Sequence, residues 1–354
     1  MRKFLLIILI ILIIGVIGSS AFYMYSISPV DSNSKANIEV VIPSGMSTRN
    51  IAKLLKNKKL IRNEKMFLLY LKLNKKGDFK ASTYKLKKSM NTKKIVSILT
   101  KGNNYNPDAV RLTFKEGETI EKYIKEIEEK TNNKHDDIIK VFTDREYTKT
   151  LVDTYWFLTD DILNEKIYYP LEGYLYPETL EFANKDVSVE EIIKAYLDQT
   201  TKEWESVKDD LKNGNRTIHE YITLASITQL EGRNEKDRKL IIGVFENRLK
   251  KGMNIGSDVT TYYGLKKDMT SDLTIDEINT VNAYNTRTNN MIGKLPVGPI
   301  CNPELESIEA ALHPTTSDYL FFVADKNGKV YYTLTNAEHT AKVKELKDSG
   351  LWIW

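Results

Sequence analysis

The chain is poor in the residues on which much enzyme chemistry depends. Its 354 residues include four histidines and a single cysteine, Cys301. One cysteine cannot form a disulfide within the chain, so an exported form of the protein would rely on its core for stability. Cys301 also has no neighbouring histidine that could act as its base, and we interpret it as incidental rather than nucleophilic.

Several catalytic motifs are missing as well. The histidines are not spaced as a metal site. The sequence has neither a Gly-x-Ser-x-Gly elbow nor a phosphate-binding glycine loop. These absences argue against zinc peptidases, serine hydrolases and nucleotide enzymes, and we expect no metal and no cofactor. What remains is carboxylate chemistry in a setting rich in tyrosine, asparagine and glycine, which is the chemistry of glycoside cleavage.

One long hydrophobic run lies at the N-terminus. Arg2 and Lys3 are followed by uncharged residues up to about residue 25. A helix needs about 20 apolar residues to cross a bilayer, and basic residues favour the cytoplasmic side. We therefore predict a cytoplasmic tip and single-pass anchor over residues 1–28, with the rest of the chain outside the cell. A signal peptide cleaved near residues 19–21 is the alternative.

The charge is distributed unevenly along the chain. Residues 31–105 hold 18 basic residues against 4 acidic ones, whereas the whole chain has a net charge of only +4. A basic segment just outside an anchor could lie on anionic lipid or on an anionic wall polymer. A lysine-rich solvated surface explains the same pattern. Nucleic acid is not expected as a partner outside a membrane.

The length and the hydrophobic patterning predict an α+β protein of more than one domain. Residues 29–36 are typical of a linker, and residues 37–104 predict a strand, two helices, a second strand and a helix. A related strand–turn–helix pattern recurs within residues 105–131. We assign residues 105–350 to a mixed α+β catalytic domain, with 105–131 as a second small module in the alternative assignment.

Within that larger domain the pattern alternates between helices and irregular segments. We predict a shaped loop or a short strand pair at 168–180, one or two helices at 186–212, and helices at 218–231 and 234–251. Loops at 252–306, a short helix at 305–312, and a strand pair that turns at Asn327 and Gly328 before a closing helix complete the prediction. The helix over 218–231 has Ile222, Ala225 and Ile227 among its apolar residues, and Gly232 is suited to end it.

Glu231 is the strongest catalytic candidate on physical grounds. It ends a helix that is apolar enough to be partly buried. The C-terminal end of a helix carries partial negative charge, which together with desolvation disfavours an ionised carboxylate. A carboxyl group that stays protonated near neutral pH can act as a general acid. Most glutamates near helix ends are solvated, so a surface or capping role is the competing interpretation.

Seven segments occur in one order along the chain and share a resemblance. In one-letter code they are LEGYLYPET (171–179), ASITQLE (225–231), VFENRL (244–249), GMNIGSDVTTYYG (252–264), AYNT (283–286), LPVGPI (295–300) with Asn302 and Pro303 after it, and DYLFFVA (318–324). Together they resemble the endolytic transglycosylase family called MltG or YceG-like. The resemblance covers nearly the whole chain, including the predicted anchor, and implies that residues 37–104 are a LysM-like module.

The resemblance implies a lytic transglycosylase that cleaves the MurNAc–GlcNAc bond of nascent peptidoglycan and leaves 1,6-anhydro-MurNAc ends. The family's catalytic glutamate falls on Glu231, which would be both the general acid and the general base. Peptidoglycan glycan strands, the cell membrane and the peptidoglycan synthases are the implied partners. A hydrolytic muramidase, which needs a second carboxylate, and a non-catalytic wall-binding scaffold are the alternatives.

The resemblance also implies positions that bind or orient the substrate. They are Asp258, Thr260, Tyr263, Tyr284, Asn285 and Glu172. The two tyrosines could equally be core residues, and Glu172 would line the cleft beside Gly173.

The sequence departs from the family pattern next to the catalytic position. The family signature is Glu-Lys-Glu, and here Gln229 and Leu230 replace its first two residues. Milder departures are Val259 and Val297, where the family usually has proline, and Glu178, where it usually has aspartate. The catalytic position itself is kept, so activity is expected, with a rate or pKa that the replaced neighbours can change.

Overall fold

A computed structural model describes residues 2–43, 46–102 and 109–352, and for residues 2–13 it describes the backbone alone. The chain divides into two compact units, residues 1–109 and 110–354. Each unit contains its own buried hydrophobic cluster. Within the described residues, helices are combined with three separate antiparallel strand pairs, which confirms the predicted α+β class.

The N-terminal segment is helical, as the hydrophobic run predicts. Helix α1 spans Arg2–Ile27. Among the side chains that are described, which begin at Ile14 in this helix, no helix is both long and apolar enough to span a membrane. The predicted anchor falls partly on residues 4–13, whose side chains lie outside that description, and it stays a prediction.

The smaller unit follows the predicted order of elements. Strand β1 (Asn37–Ile42) pairs antiparallel with β2 (Ser82–Lys87), α2 (Thr48–Asn57) and α3 (Glu64–Leu73) lie between them in the chain, and α4 (Thr92–Lys101) follows. The N-caps of the three helices are Ser47, Asn63 and Asn91, whose side chains accept backbone N–H groups of the first turn. LysM-like character of this unit stays a prediction.

The larger unit is mostly helical. Its helices are α5 (Ile120–Lys130), α6 (His135–Thr143), α7 (Arg145–Val152), α8 (Val189–Glu203), α9 (Lys208–Asn213), α10 (Ile218–Glu231), α11 (Glu235–Lys250), α12 (Asp258–Gly264), α13 (Ile275–Ile278), α14 (Leu305–Leu312) and α15 (Asn336–Asp348). Its strands are β3 (Val110–Thr113), β4 (Thr179–Phe182), β5 (Phe321–Ala324) and β6 (Val330–Thr333). Strands β3 and β4 pair antiparallel, and so do β5 and β6.

The second strand–turn–helix pattern is part of this larger unit. Strand β3 pairs with β4, which lies far along the chain, in a register that places Val110 opposite Phe182. Helix α5 packs beside β3, and its Tyr123 stacks on Phe114 with ring centroids 3.9 Å apart. The strand within residues 105–131 therefore pairs with a strand outside that segment.

Helix α10 lies in the core of the larger unit and carries the predicted catalytic glutamate. A capping box starts it, in which Thr217 and Glu220 exchange side-chain and backbone hydrogen bonds. Nearly every residue from Ile218 to Thr228 is buried, so the helix has no broad solvent face. It packs against α11 and α14 and ends at Gly232, where the chain becomes extended.

Helix α12 is the main element that the sequence analysis missed. We expected loops throughout residues 252–306, because glycine, proline and asparagine are frequent there. Seven residues of that segment instead form α12, and Ser257, Thr260 and Thr261 are buried in and beside it. Tertiary contacts with α10 stabilise a helix that is too short to be favoured by its sequence alone.

Gly173 allows the 168–180 loop to approach α10 closely. Its φ is +90°, and a Cβ at this position would lie 2.6 Å from the Cβ of Pro299 and 2.9 Å from Cγ2 of Ile222. A side chain here would therefore be strained and would overlap two neighbours. Gly252 has a similar φ of +64°, but a Cβ added there would have no neighbouring atom within 4 Å.

We expect Gly173→Ala to lower the free energy of unfolding by about 3 kcal/mol, because positive φ costs roughly 1–2 kcal/mol and overpacking adds a comparable amount. Gly252→Ala is the matched control, and it should cost only the smaller backbone contribution. Urea unfolding followed by tryptophan fluorescence measures both, since all four tryptophans lie in residues 110–354. Equal losses for the two variants would contradict the close approach at Gly173.

Candidate active site

Glu231 is the last residue of α10 and is partly exposed, although the helix behind it is buried. The hydroxyl of Ser257 donates a hydrogen bond to Oε1 of Glu231 over 2.6 Å. Among the described residues, Oε2 of Glu231 has no hydrogen-bond partner. The carboxyl group is therefore held on one side and open on the other.

The surroundings of Glu231 favour its protonated form. Burial raises the pKa of Glu231, and the negative charge of Asp258 raises it further. The hydrogen bond from Ser257 and the positive charges of Arg287 and Arg248 oppose these effects, but burial is the larger influence. A carboxyl with a raised pKa can give up a proton near neutral pH and take it back afterwards.

Two loops meet beside this carboxyl and are joined by buried threonines. The backbone N–H of Ser257 donates to Oγ1 of Thr286 over 3.1 Å, and the hydroxyl of Thr260 donates to the carbonyl of Ser257 over 2.7 Å. The Thr260 and Thr286 hydroxyls are 2.8 Å apart and hydrogen-bonded. An ion pair between Asp258 and Arg287 joins the same loops at the surface.

Arg248 completes the charged surroundings. Its Nε donates to the carbonyl of Leu320 over 2.6 Å, and its Nη1 donates to the carbonyl of Ile255. Burial lowers the pKa of Arg248 to about 10, with a further contribution from the nearby charge of Arg287. The guanidinium therefore anchors the start of the 255–258 loop while placing positive charge near Glu231.

Glu172 is a second buried carboxyl group, and it is fully engaged with protein donors. Oε1 accepts hydrogen bonds from the backbone of Ile120 and from Nδ2 of Asn302, both over 3.0 Å. Oε2 accepts from the hydroxyl of Tyr263 over 2.9 Å. The side chain is 1% exposed. It connects the first turn of α5, the 168–180 loop and α12 from a buried position. A place for Glu172 on the wall of a substrate cleft stays a prediction.

The tyrosines predicted to bind substrate form a cluster next to Glu172. Tyr284 is fully buried, and its hydroxyl accepts a hydrogen bond from the backbone of Tyr168 over 3.2 Å. The rings of Tyr263 and Tyr284 meet edge to face with centroids 4.8 Å apart. Tyr263 is partly buried and faces Glu172. Tyr263 and Tyr284 therefore make contacts that are typical of core residues, which was one of the two interpretations of this pair.

Asn285 and Thr260 are also buried completely. Asn285 accepts a hydrogen bond from the hydroxyl of Thr261 over 2.7 Å and donates to the carbonyls of Ile278 and Thr280. These contacts hold the loops that carry the site. Asp258 is the one of the six predicted binding residues that is substantially exposed, with 51% of its side chain accessible. Direct substrate binding by these residues stays a prediction.

Gln229 faces away from the carboxyl of Glu231. Its Oε1 accepts hydrogen bonds from the backbone of Glu304 over 3.1 Å and from the hydroxyl of Ser307 over 2.6 Å. It thereby joins α10 to the first turn of α14. A glutamate at this position would offer the same acceptor oxygen, so the replacement keeps the contact.

Sequence reasoning did not find Ser257, Thr286, Arg248 or Arg287. Arg248, Ser257 and Thr286 lie in segments that carry the family resemblance, but the segments do not show which side chains meet Glu231. The contact of Ser257 with Glu231 joins residues that are 26 positions apart. Ser257 does precede an acidic residue and a run of threonine and tyrosine, which is a helix-start signal. That signal marks the start of α12, but a helix of seven residues is too short for its own sequence to predict, and the signal does not reveal the contact with Glu231.

Comparison with known proteins gives one consistent family. The sequence profile of the YceG-like family matches residues 40–345. A protein of Bacillus subtilis named endolytic murein transglycosylase is 38% identical over 340 residues, which is 93% of this chain and 90% of that protein. A Streptococcus pneumoniae protein of the same name is 31% identical over 346 residues, and the match covers 93% of this chain but 62% of that longer protein.

A solved structure agrees with this result. The crystal structure of a yceG-like protein from Listeria monocytogenes, determined at 2.6 Å, aligns with a TM-score of 0.62 at 37% sequence identity. The alignment covers 87% of this chain and all of that one.

Glu172 generates a prediction about pH and stability. Burial raises the pKa of Glu172 from 4.5 to about 8 against the opposing effect of its hydrogen bonds. The folded state then binds this proton more tightly than the unfolded state, so the wild type loses stability as the pH rises from about 4.5 to about 8. Relative to Glu172→Gln, which does not titrate, we expect a loss of roughly a few kcal/mol across that window.

Urea unfolding of both proteins at a series of pH values measures this difference. Glu235→Gln is the control, because the pKa of the exposed Glu235 is lowered by Lys239 and its titration therefore lies below the window. Parallel stability curves for the wild type and Glu172→Gln would show that Glu172 is ionised in the folded protein at neutral pH.

Proposed function

The chain belongs to the YceG-like family, and from that premise and the geometry of the site we propose that it is an endolytic lytic transglycosylase of peptidoglycan with Glu231 as general acid and base. The single observation that carries the proposal is the carboxyl of Glu231, which stands at the end of a buried helix with a raised pKa and one open oxygen. The similar proteins of B. subtilis and S. pneumoniae bear the name endolytic murein transglycosylase.

In the first step the protonated Glu231 donates its proton to the oxygen that links MurNAc to GlcNAc. The bond between that oxygen and the anomeric carbon breaks, and GlcNAc leaves with the proton. Burial of Glu231 supports this step because it keeps the carboxyl protonated at a pH where an exposed glutamate is ionised. The positive charges of Arg248 and Arg287 then stabilise the carboxylate that forms.

In the second step the ionised Glu231 accepts the proton of the MurNAc 6-hydroxyl. The oxygen of that hydroxyl forms a bond to the anomeric carbon, which gives a 1,6-anhydro ring and restores the protonated enzyme. The nucleophile comes from the substrate, so the reaction requires no water and no second carboxylate. One carboxyl group with two successive protonation states is sufficient.

The alternative of a hydrolytic muramidase needs a second carboxylate that activates water or attacks the sugar. Glu172 is unsuited to this role, because it is buried and its oxygens accept hydrogen bonds from protein donors. Asp258 is the remaining candidate, since its charge acts on Glu231 and its side chain is half exposed. Asp258 forms an ion pair with Arg287, so its carboxylate is already engaged and is less available to activate water.

We further propose that the enzyme works at the outer face of the cell membrane. The hydrophobic run of residues 4–25 supports a single-pass anchor with the catalytic unit outside the cell. In this location the substrate is nascent glycan, the smaller unit acts as a LysM-like glycan-binding module, and the peptidoglycan synthases are neighbouring partners. These points rest on the family resemblance and the sequence.

We expect Glu231→Gln to abolish the formation of anhydro-MurNAc ends. The amide cannot donate a proton to the leaving oxygen or accept one from the 6-hydroxyl, and a general acid–base contribution is worth about 10²- to 10⁴-fold in rate. The measurement is mass spectrometry of muropeptides released from uncrosslinked glycan strands by the full chain in detergent. Glu235→Gln is the matched control, since Glu235 is an exposed glutamate on the next helix, and it should keep full activity.

Each outcome assigns a function. Anhydro ends from the wild type and none from Glu231→Gln support the lytic mechanism. Reducing ends from the wild type that disappear in Asp258→Asn would show that the enzyme is a hydrolytic muramidase instead. If the wild type binds glycan strands but releases no product, the protein is a non-catalytic wall-binding scaffold.

A further inference from the structure

We propose that Ser257 is a positioning residue for the acid–base group, which fixes Oε1 of Glu231 so that the proton is exchanged through Oε2. The inference rests on the proposed function of Glu231. It assigns a role to a buried serine for which the sequence analysis predicted none.

The hydrogen bonding of Ser257 departs from what its place in the chain favours. Ser257 is the N-cap residue of α12, where a serine hydroxyl normally accepts a backbone N–H of the first turn. Ser257 makes no such cap bond. Its hydroxyl donates instead to Oε1 of Glu231 over 2.6 Å. The hydroxyl of Ser257 therefore bonds to the carboxyl of Glu231 and does not cap α12.

The main chain of Ser257 is held independently of this hydroxyl. Its N–H donates to Thr286 and its carbonyl accepts from Thr260, and both threonines are buried. The residue itself is only 4% exposed. A rigid donor in a fixed position restricts the rotation of the Glu231 carboxyl, which is the preorganisation that proton transfer requires.

The contact determines which oxygen carries the proton. In the acid form Oε1 is the carbonyl oxygen that accepts from Ser257, and the proton lies on Oε2, which has no hydrogen bond within the described part of the chain. After transfer, the same donor stabilises the carboxylate, and the proton of Ser257 stays on its own oxygen. Ser257 thus acts through Glu231 in both steps and lowers the cost of the ionised form.

The test is Ser257→Ala in the full chain. We expect kcat to fall about 10- to 100-fold, since a displaced catalytic group costs about that much. KM should change little, because Ser257 is buried and its hydroxyl is already bonded to Glu231. Loss of the donor also raises the pKa of Glu231, so the decline of activity on the alkaline side should move to higher pH. Ser257→Thr keeps the hydroxyl and should restore both the rate and the pH profile.

A measurement without substrate separates this inference from the proposed function. The infrared band of the protonated Glu231 carboxyl, identified by its absence from Glu231→Gln, can be followed against pH. In Ser257→Ala the band should persist to higher pH than in the wild type. The titration can be measured even if the protein releases no anhydro product. Lack of product would overturn the proposed function but not the role of Ser257 toward Glu231.

Thr223→Val is the matched control, because it removes a buried hydroxyl of α10 that donates only within the helix. It should leave the band, kcat and pH profile unchanged. If Ser257→Ala does not fold, Ser257→Cys takes its place, and its weaker donor should shift the band in the same direction. An unchanged titration of Glu231 in the folded variant, or a lost rate that Ser257→Thr fails to restore, overturns the inference.

Discussion

The burial of α10 is the constraint on which the rest of the larger unit depends. A helix that is covered on nearly every side cannot rotate to improve one contact without losing others, so its packing against α11 and α14 fixes the direction of its last turn. That turn ends in a carboxyl group at the negative end of the helix dipole. The groups that stabilise this carboxyl are the hydroxyl of Ser257 and two guanidinium groups, of which Arg248 lies on α11 and Arg287 lies in the segment after α13.

Two buried carboxyl groups show how the surroundings assign different roles to the same side chain. Burial raises the pKa of both Glu172 and Glu231. Glu172 accepts hydrogen bonds at both oxygens from donors in three different segments, so any proton transfer there would disrupt the contacts that hold those segments together. Glu231 has one oxygen engaged and remains partly exposed. A general acid needs this second arrangement.

The sequence predicts the regular elements well because their signals are local. The apolar patterns of α10 and α14 lie within each helix, and the predicted bounds of these two agree with the structure. Helix α12 could not be predicted in this way, because contacts with α10 stabilise it and its own residues resemble those of a loop. The same reason explains the site. Glu231 is recognisable from its place at a helix end, whereas Ser257 acquires its role only when the fold brings it beside α10.

The departures from the family signature next to Glu231 can be judged by what each side chain contacts. Gln229 keeps the acceptor that joins α10 to α14, so the position of the helix end does not depend on a charge there. Leu230 is partly buried and approaches the turn at Gly117, next to Glu116. The charge of Glu304 raises the pKa of Glu116, burial raises it further, and Arg238 is the opposing cation.

Neither replaced side chain accounts for the hydrogen bond on Oε1 or for the cations that act on Glu231. The departures therefore change the electrostatic surface beside the acid and leave its immediate hydrogen bonding intact. A chemistry that depends on one carboxyl and its donor can survive the loss of a neighbouring charge, because short-range contacts inside a protein outweigh more distant and solvent-screened ones.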